Sequence, residues 1–216
     1  MAVRAAAVLC MALALIGCAT SRLQDQLREA ANHPVSEYRD WPAAQAFAEV
    51  SQAAGMDPSK VYLAITRGID GANVWSVGDG MFLITPSVRD GHNICLLLGL
   101  ASHAIAHDRL GHPEAKDGLA VLIARTRRLA GETETVPVYS RAHEREADAK
   151  AVEILRAAGR QPWFITYAVT ALKGASLTNA IHFRSTHPSA TDRLAKLPPL
   201  PGDTAQFLVC GRSLSE

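Results

Sequence analysis

At 216 residues the chain has room for one domain with short appendages. Its 22 Lys and Arg nearly balance 21 Asp and Glu, so no charge excess recruits nucleic acid or a strongly acidic partner. Hydrophobic residues make up 48%, enough for a sizeable core, but aromatics only 6%, so that core should be mostly Ala, Leu, Val and Ile.

Residues 1–17 read as a secretory signal peptide. Arg4 supplies the basic start and Ala5 to Ile16 an apolar run too short to span a bilayer comfortably. The run closes as Leu15-Ile16-Gly17-Cys18, which resembles the bacterial lipobox, where the signal is cut before a Cys that then carries lipid. The resemblance implies lipidation of Cys18, which would tether a domain to a membrane face rather than span it. Ala19 follows, where lipoproteins kept at the inner membrane usually have Asp. The implied address is the cell envelope, at the outer membrane and facing the periplasm. Cys10 would leave with the signal, and Cys95 and Cys210 would remain in an oxidising compartment where a disulfide could persist. Their pairing is open at this level, and Cys95 reads slightly better as a small buried hydrophobe at the start of its helix.

Residues 18–56 read as an anchored helical segment. Ser21 to Ala31 is polar and helical, with Leu23, Leu27 and Ala30 on one side, and His33-Pro34 breaks it. Pro42 opens a second helix, an Ala-rich amphipathic one over Ala43 to Ala54, closed by Gly55. The main domain then runs over residues 57–197. Val61 to Thr66 is a strand candidate, and Asn73 to Val77 and Met81 to Thr85 flank Gly78-Asp79-Gly80 as a hairpin. Pro86 ends this run.

From there the chain reads as helical: His92 to His107, Lys116 to Ala130, Arg141 to Ala158 ending at Gly159, Pro162 to Leu172, and Pro188 to Leu197. Gly131 to Tyr139, with Pro137, reads as a loop. Residues 198–216 form a Pro-rich linker and tail, in which Phe207 to Cys210 could be a last short strand.

Two helices carry chemistry. His103 and His107 stand four residues apart, so on a helix they share one face and can clamp one metal ion. The zinc-protease motif HExxH has this spacing, with its Glu as general base. Here that position is Ala104. A zinc site needs a third protein ligand. Glu144 and Asp148 are again four apart, so one can reach the metal while the other accepts the N–H of a ligating imidazole. Taken alone, the Arg141 to Asp148 stretch reads as a solvated charged face; beside His103 and His107 it does not.

Together, His103-x-x-x-His107, Glu144-x-x-Ala147-Asp148 and Ser185-Thr186-His187-Pro188-Ser189 resemble the zinc metallopeptidase family M48, the gluzincin group that includes CAAX prenyl proteases and a bacterial heat-shock membrane protease. The resemblance covers roughly Asp57 to Leu197. It implies Zn2+ held by His103, His107 and Glu144, with Asp148 behind a ligand and His187 lining the active site, where it would stabilise the transition state or approach the metal; the plainer reading of His187 is a helix-entry residue before Pro188. Trp75-Ser76-Val77 resembles the strand edge that pairs with an extended peptide; the plainer reading of Trp75 is core packing. His112 matches a histidine of the extended motif, or else is a surface residue at a helix end.

The departure is Ala104, which stands where the family has its general base. Losing such a group costs on the order of 10²–10⁴-fold in rate. Asp108 lies about 100° round the helix from His107 and should point elsewhere. Glu146 is not assumed to substitute either. A pseudopeptidase that keeps its metal, an enzyme with a base elsewhere and an introduced inactivating change all fit these residues. The expected fold is α+β and mostly helical, zincin-like, with a small antiparallel sheet on a helical bundle and zinc between the motif helix and the Glu144 helix. The expected function is a lipid-anchored metalloendopeptidase-type protein acting on peptides or envelope proteins with impaired turnover. The alternative is a non-catalytic binding, scaffold or chaperone lipoprotein for envelope clients.

Overall fold

The computed structural model describes residues 34–38, 40–66, 71–113, 123–125, 134–136, 139–174 and 190–211. The signal segment, Cys18, the helix expected over Ser21–Ala31 and the Ser185–Ser189 block lie outside them.

Helix α1 (Pro42–Ala53) starts where Pro42 meets an extended Trp41, as a first-turn proline should, and buries Ala43, Ala44, Ala46, Phe47 and Val50. Three strands follow: β1 (Tyr62–Ile65), β2 (Val74–Gly78) and β3 (Met81–Ile84). The turn joining β2 and β3 has positive φ at Gly78, Asp79 and Gly80. Gly80 is required twice over, because a Cβ there would also run into the Lys60 carbonyl.

The sheet is mixed rather than antiparallel, in the order β1-β3-β2. β2 and β3 pair antiparallel as the hairpin requires, but β3 lies parallel to β1, with Tyr62 opposite Met81 and Ile65 opposite Ile84. The hairpin returns its second strand to the middle of the sheet, and a strand that reverses twice runs the way it began.

After a single turn of helix, α2 (Pro86–Arg89), the long α3 (Ile94–Arg109) begins under an Asn93 cap whose side chain accepts the Leu96 N–H at 2.9 Å. Nearly every side chain of α3 from Ile94 to His107 is buried, as expected of a helix covered on all sides. Its neighbours are α1, α4 (Arg141–Ala157), α5 (Trp163–Gly174) and β2. Gly99 makes the α5 contact possible, because a Cβ there would strike the Phe164 carbonyl. A five-residue helix, α6 (Ala190–Leu194), lies against α5 and α4.

Further expectations are corrected. Within the stretch read as a helix over Lys116–Ala130, residues Ile123–Arg125 form β4, paired antiparallel with β5 (Glu134–Val136) in the stretch read as a loop. Ala and Leu favour a helix there, but Ile123, Thr135 and Val136 are β-branched and a facing partner strand decides between the two.

Phe207–Cys210 is part of a 3-10 helix, Thr204–Gly211, and not a strand. A short apolar run carries no period that separates the two. Here Phe207 packs edge-on to Trp163 with ring centroids 5.3 Å apart, which lays the run on helices rather than on a sheet edge.

Cys95 is not merely a buried hydrophobe: it forms a disulfide with Cys210, 115 residues away. The bond staples the chain's end to the first turn of α3 and supports the packing that Phe207 begins. No described helix is long and apolar enough to cross a membrane.

Candidate metal centre

The site sits where α3 faces α4. The cap on Asn93 sets the phase of α3, and the four-residue spacing brings His103 and His107 together with Nε2 atoms 3.1 Å apart. Ser140 caps α4 by accepting the His143 N–H at 3.2 Å, which puts Glu144 in the first turn and Asp148 one turn on. Glu144 reaches both imidazoles: one carboxylate oxygen is 3.2 Å from His103 Nε2, the other 3.5 Å from His107 Nε2. One ligand atom from each of the three residues falls within 4.8 Å of the others, and all three side chains are buried. Two imidazoles and a carboxylate form a set that zinc accepts while leaving a fourth position open. The residues present therefore fit a metal ion.

Asp148 stands behind this group, its Oδ1 3.1 Å from His103 Nδ1. It thus faces the ring nitrogen not turned toward Glu144, the arrangement that fixes a ligating imidazole's tautomer. Burial pushes the Asp148 carboxyl up, but its bonds to His103 and the charge of Arg193 outweigh that and hold it below the usual carboxylate range. At His103, burial and Arg193 push downward, and the hydrogen bonds to Asp148 and Glu144 prevail, raising its pKa.

Two further residues belong to the site. Arg193, from α6, is fully buried. Its Nη1 lies 2.7 Å from Glu144, while its Nε and Nη2 donate to the two oxygens of Asp148 at 2.8 and 2.7 Å. The same Nη2 is 3.4 Å from His103 Nε2. The one signal in the sequence was indirect: two carboxylates buried together demand cationic partners, and a basic residue elsewhere had to supply one.

Tyr139, just before α4, stacks on His107 with ring centroids 3.7 Å apart and donates its hydroxyl to the Ser76 carbonyl at 2.6 Å. Burial drives its phenol pKa far up, so it stays a donor.

Ala104 is buried in α3 next to the first ligand. Neither nearby acid takes its place. Asp108 accepts from the Ser76 hydroxyl and the Gly80 N–H, both at 3.2 Å, so it points at the β2–β3 turn, as its position on the helix requires. Burial raises its pKa. Glu146 has an exposed side chain and pairs with His112 at 3.2 Å.

His112 is buried, which removes the surface reading, and its Nδ1 is 2.9 Å from His107 Nδ1. Burial lowers its pKa. Trp75, Ser76 and Val77 lie on β2, an outer strand of the sheet beside α3. Trp75 is fully buried against Ala64 and Leu83, and the Ser76 carbonyl is engaged by Tyr139. His187 lies outside the described residues.

A mostly helical α+β domain with two helical histidines and a glutamate converging on one buried point defines a metallopeptidase-type protein. The model of peptidase family M48 matches residues 86–199, more than half of the chain, and spans α2 through α6 and the whole donor set. The chain belongs to peptidase family M48. A comparison with curated proteins finds no match.

Proposed function

We propose that this chain is a lipid-anchored envelope protein with a zinc metalloendopeptidase-type site whose turnover is impaired at Ala104. The observation that carries the proposal is the buried convergence of His103, His107 and Glu144 beside a helix position that holds only a methyl group. His103, His107 and Glu144 would hold Zn2+, and Asp148 would orient His103. When bound, the ion supplies a Lewis acid and a water of lowered pKa. Ala104 can neither accept a proton from that water nor return one to a leaving amine. On the general acid–base scale this removes about 10²–10⁴-fold in rate.

An extended peptide or envelope-protein segment would pair along Trp75-Ser76-Val77, with His187 beside the scissile bond. Tyr139 must then yield the Ser76 carbonyl wherever the peptide donates to it. Lipid on Cys18 would hold the domain at the outer membrane, facing the periplasm. The Cys95–Cys210 disulfide supports an oxidising compartment.

A second reading is a binding or scaffold role without cleavage. It is favoured by the engagement of Asp108 with the β2–β3 turn and of Glu146 with His112, which leaves neither to act as the base.

One experiment tests both: zinc content and peptide hydrolysis, side by side, for the chain as it stands and for Ala104→Glu. Zinc in both with cleavage only by the Glu variant supports a peptidase site lacking its base, and with it a binding role. Comparable cleavage by both means that another group supplies the base. Absence of zinc from both refutes the metal site.

A further inference from the structure

Behind His107, on the side away from Glu144, lies a second pair of side chains that the ligand set does not use. His112 follows the end of α3, where its backbone N–H donates to the His107 carbonyl at 3.1 Å and Gly111 turns the chain at φ 66°. The turn folds the His112 ring back under His107, so that the two Nδ1 atoms are 2.9 Å apart. The other nitrogen of His112 is 3.2 Å from the Glu146 carboxylate. His143 stacks flat on the His112 ring, with centroids 4.3 Å apart and planes 15° off parallel. Glu146 lies on α4 like Glu144 but on an exposed face of that helix, so one helix supplies both a metal donor and the far end of this chain of contacts, from different faces.

The proton positions follow from one another. A histidine that ligates through Nε2 as a neutral ring keeps its proton on Nδ1. The Nδ1–H of His107 then needs an acceptor, and His112 Nδ1 is at hydrogen-bond distance. To accept, His112 must be neutral and carry its own proton on Nε2, and that proton points at the Glu146 carboxylate. We infer that His112, backed by Glu146, is a positioning residue that fixes the tautomer and ring angle of His107 so that its Nε2 lone pair faces the metal. The pair does for His107 what Asp148 does for His103, with a histidine inserted between ring and carboxylate. The inference rests on the proposed metal site, and its failure is separable from failure of that site.

The test is zinc affinity of the full chain, by competition with a chromophoric chelator, for wild type and four variants. His112→Phe keeps the ring volume and the stacking on His143 but has no acceptor. His112→Gln loses the ring but offers an amide oxygen. A positioning role predicts that the Phe variant loses about 10–100-fold in affinity, the usual cost of removing such a partner. The Gln variant should retain most of the wild-type affinity. A packing role predicts the opposite order.

Glu146→Ala changes an exposed side chain and leaves the core intact, so it remains informative if a His112 variant misfolds. It should weaken zinc toward the low end of the same range, and Glu146→Gln should weaken it less. Equal affinity across the set, or tighter binding by Phe than by Gln, overturns the positioning role while the metal site stands. A wild-type chain that takes up no zinc overturns both.

Discussion

Arg193→Met tests whether one buried guanidinium holds the site together before a metal arrives. Arg193 makes its three shortest contacts with two carboxylates that are themselves buried, Glu144 and Asp148, at 2.7 to 2.8 Å. Methionine keeps the apolar stem and removes the charge, leaving two acids without that cation. Breaking a buried pair in this way costs about 3–5 kcal/mol. For a protein of this size 1 kcal/mol moves Tm by about 2–4 °C, so the metal-free variant should melt about 6–20 °C lower at neutral pH.

A control comes from Lys150→Met, which removes the exposed pair Lys150–Glu153 and should change stability by no more than about 1 kcal/mol. The pH dependence has a definite sign. The folded-state pKa of Asp148 is depressed, so its contribution is complete above the unfolded carboxylate value near ~3.9 and disappears as pH falls through the lower, folded value. The deficit of the variant should therefore be largest near neutrality and close in acid. Paired thermal melts across pH, with chelator present, measure it. A metal-free variant within about 1 kcal/mol of wild type at neutral pH would refute the account of Arg193 as the counter-charge of the site.

Three other outcomes follow from the same structure. His103→Ala and Glu144→Ala should each lower zinc affinity strongly, whereas His143→Ala, which removes neither a donor nor the polar contacts running from His107 through His112 to Glu146, should change it little; equal retention in all three by metal analysis would sink the ligand assignment. Cys210→Ser opens a closure 115 residues apart in sequence and should destabilise by about 5 kcal/mol on the chain-entropy estimate, read by denaturant titration; unchanged stability would mean that the bond is not formed. Gly99→Ala pushes a methyl into the Phe164 carbonyl across the α3–α5 contact and should cost about 1–3 kcal/mol, because the obstacle is backbone and cannot rotate aside.

What was readable from sequence and what was not divide along a physical line. His103 with His107, and Glu144 with Asp148, were legible because a four-residue spacing on a helix is local geometry. The hairpin was legible because Gly78-Asp79-Gly80 supplies a run of positive φ that few sequences allow. Contacts decided in three dimensions left no local trace. Nothing in the Thr-Asp-Arg193-Leu stretch shows that Arg193 meets two acids more than 40 residues earlier, and no spacing rule lays Tyr139 across His107. The parallel β1–β3 pairing depends on which side of β1 the hairpin docks. The β4–β5 pair was missed for a related reason: each strand is three residues long, and its partner decided the conformation.

The energetics of the site bear on why it has the residues it has. Buried ion pairs seldom stabilise a fold more than apolar residues of the same volume would, because desolvation offsets most of the attraction. Here two acids, an arginine and two histidines occupy space that leucines could fill, between helices already joined by a broad apolar core. Stability alone does not account for such a group. A role in binding would, since the Glu144 and Asp148 carboxylates and the two imidazole lone pairs gain from a cation placed among the His103, His107 and Glu144 donors, although the Arg193 guanidinium does not. Ala104 fits the same logic from the other side: a methyl in a buried helix costs the fold nothing and, on the proposed function, would remove only the proton transfer. On this argument the chain would keep the features that hold a metal and a peptide, and lack the one needed only for turnover. Ala104→Glu is therefore the substitution with the most to say. It adds a carboxyl group without touching a ligand, so a gain of cleavage at unchanged zinc content would separate binding from catalysis in one step, and a loss of zinc would show that the methyl is part of how the site is packed.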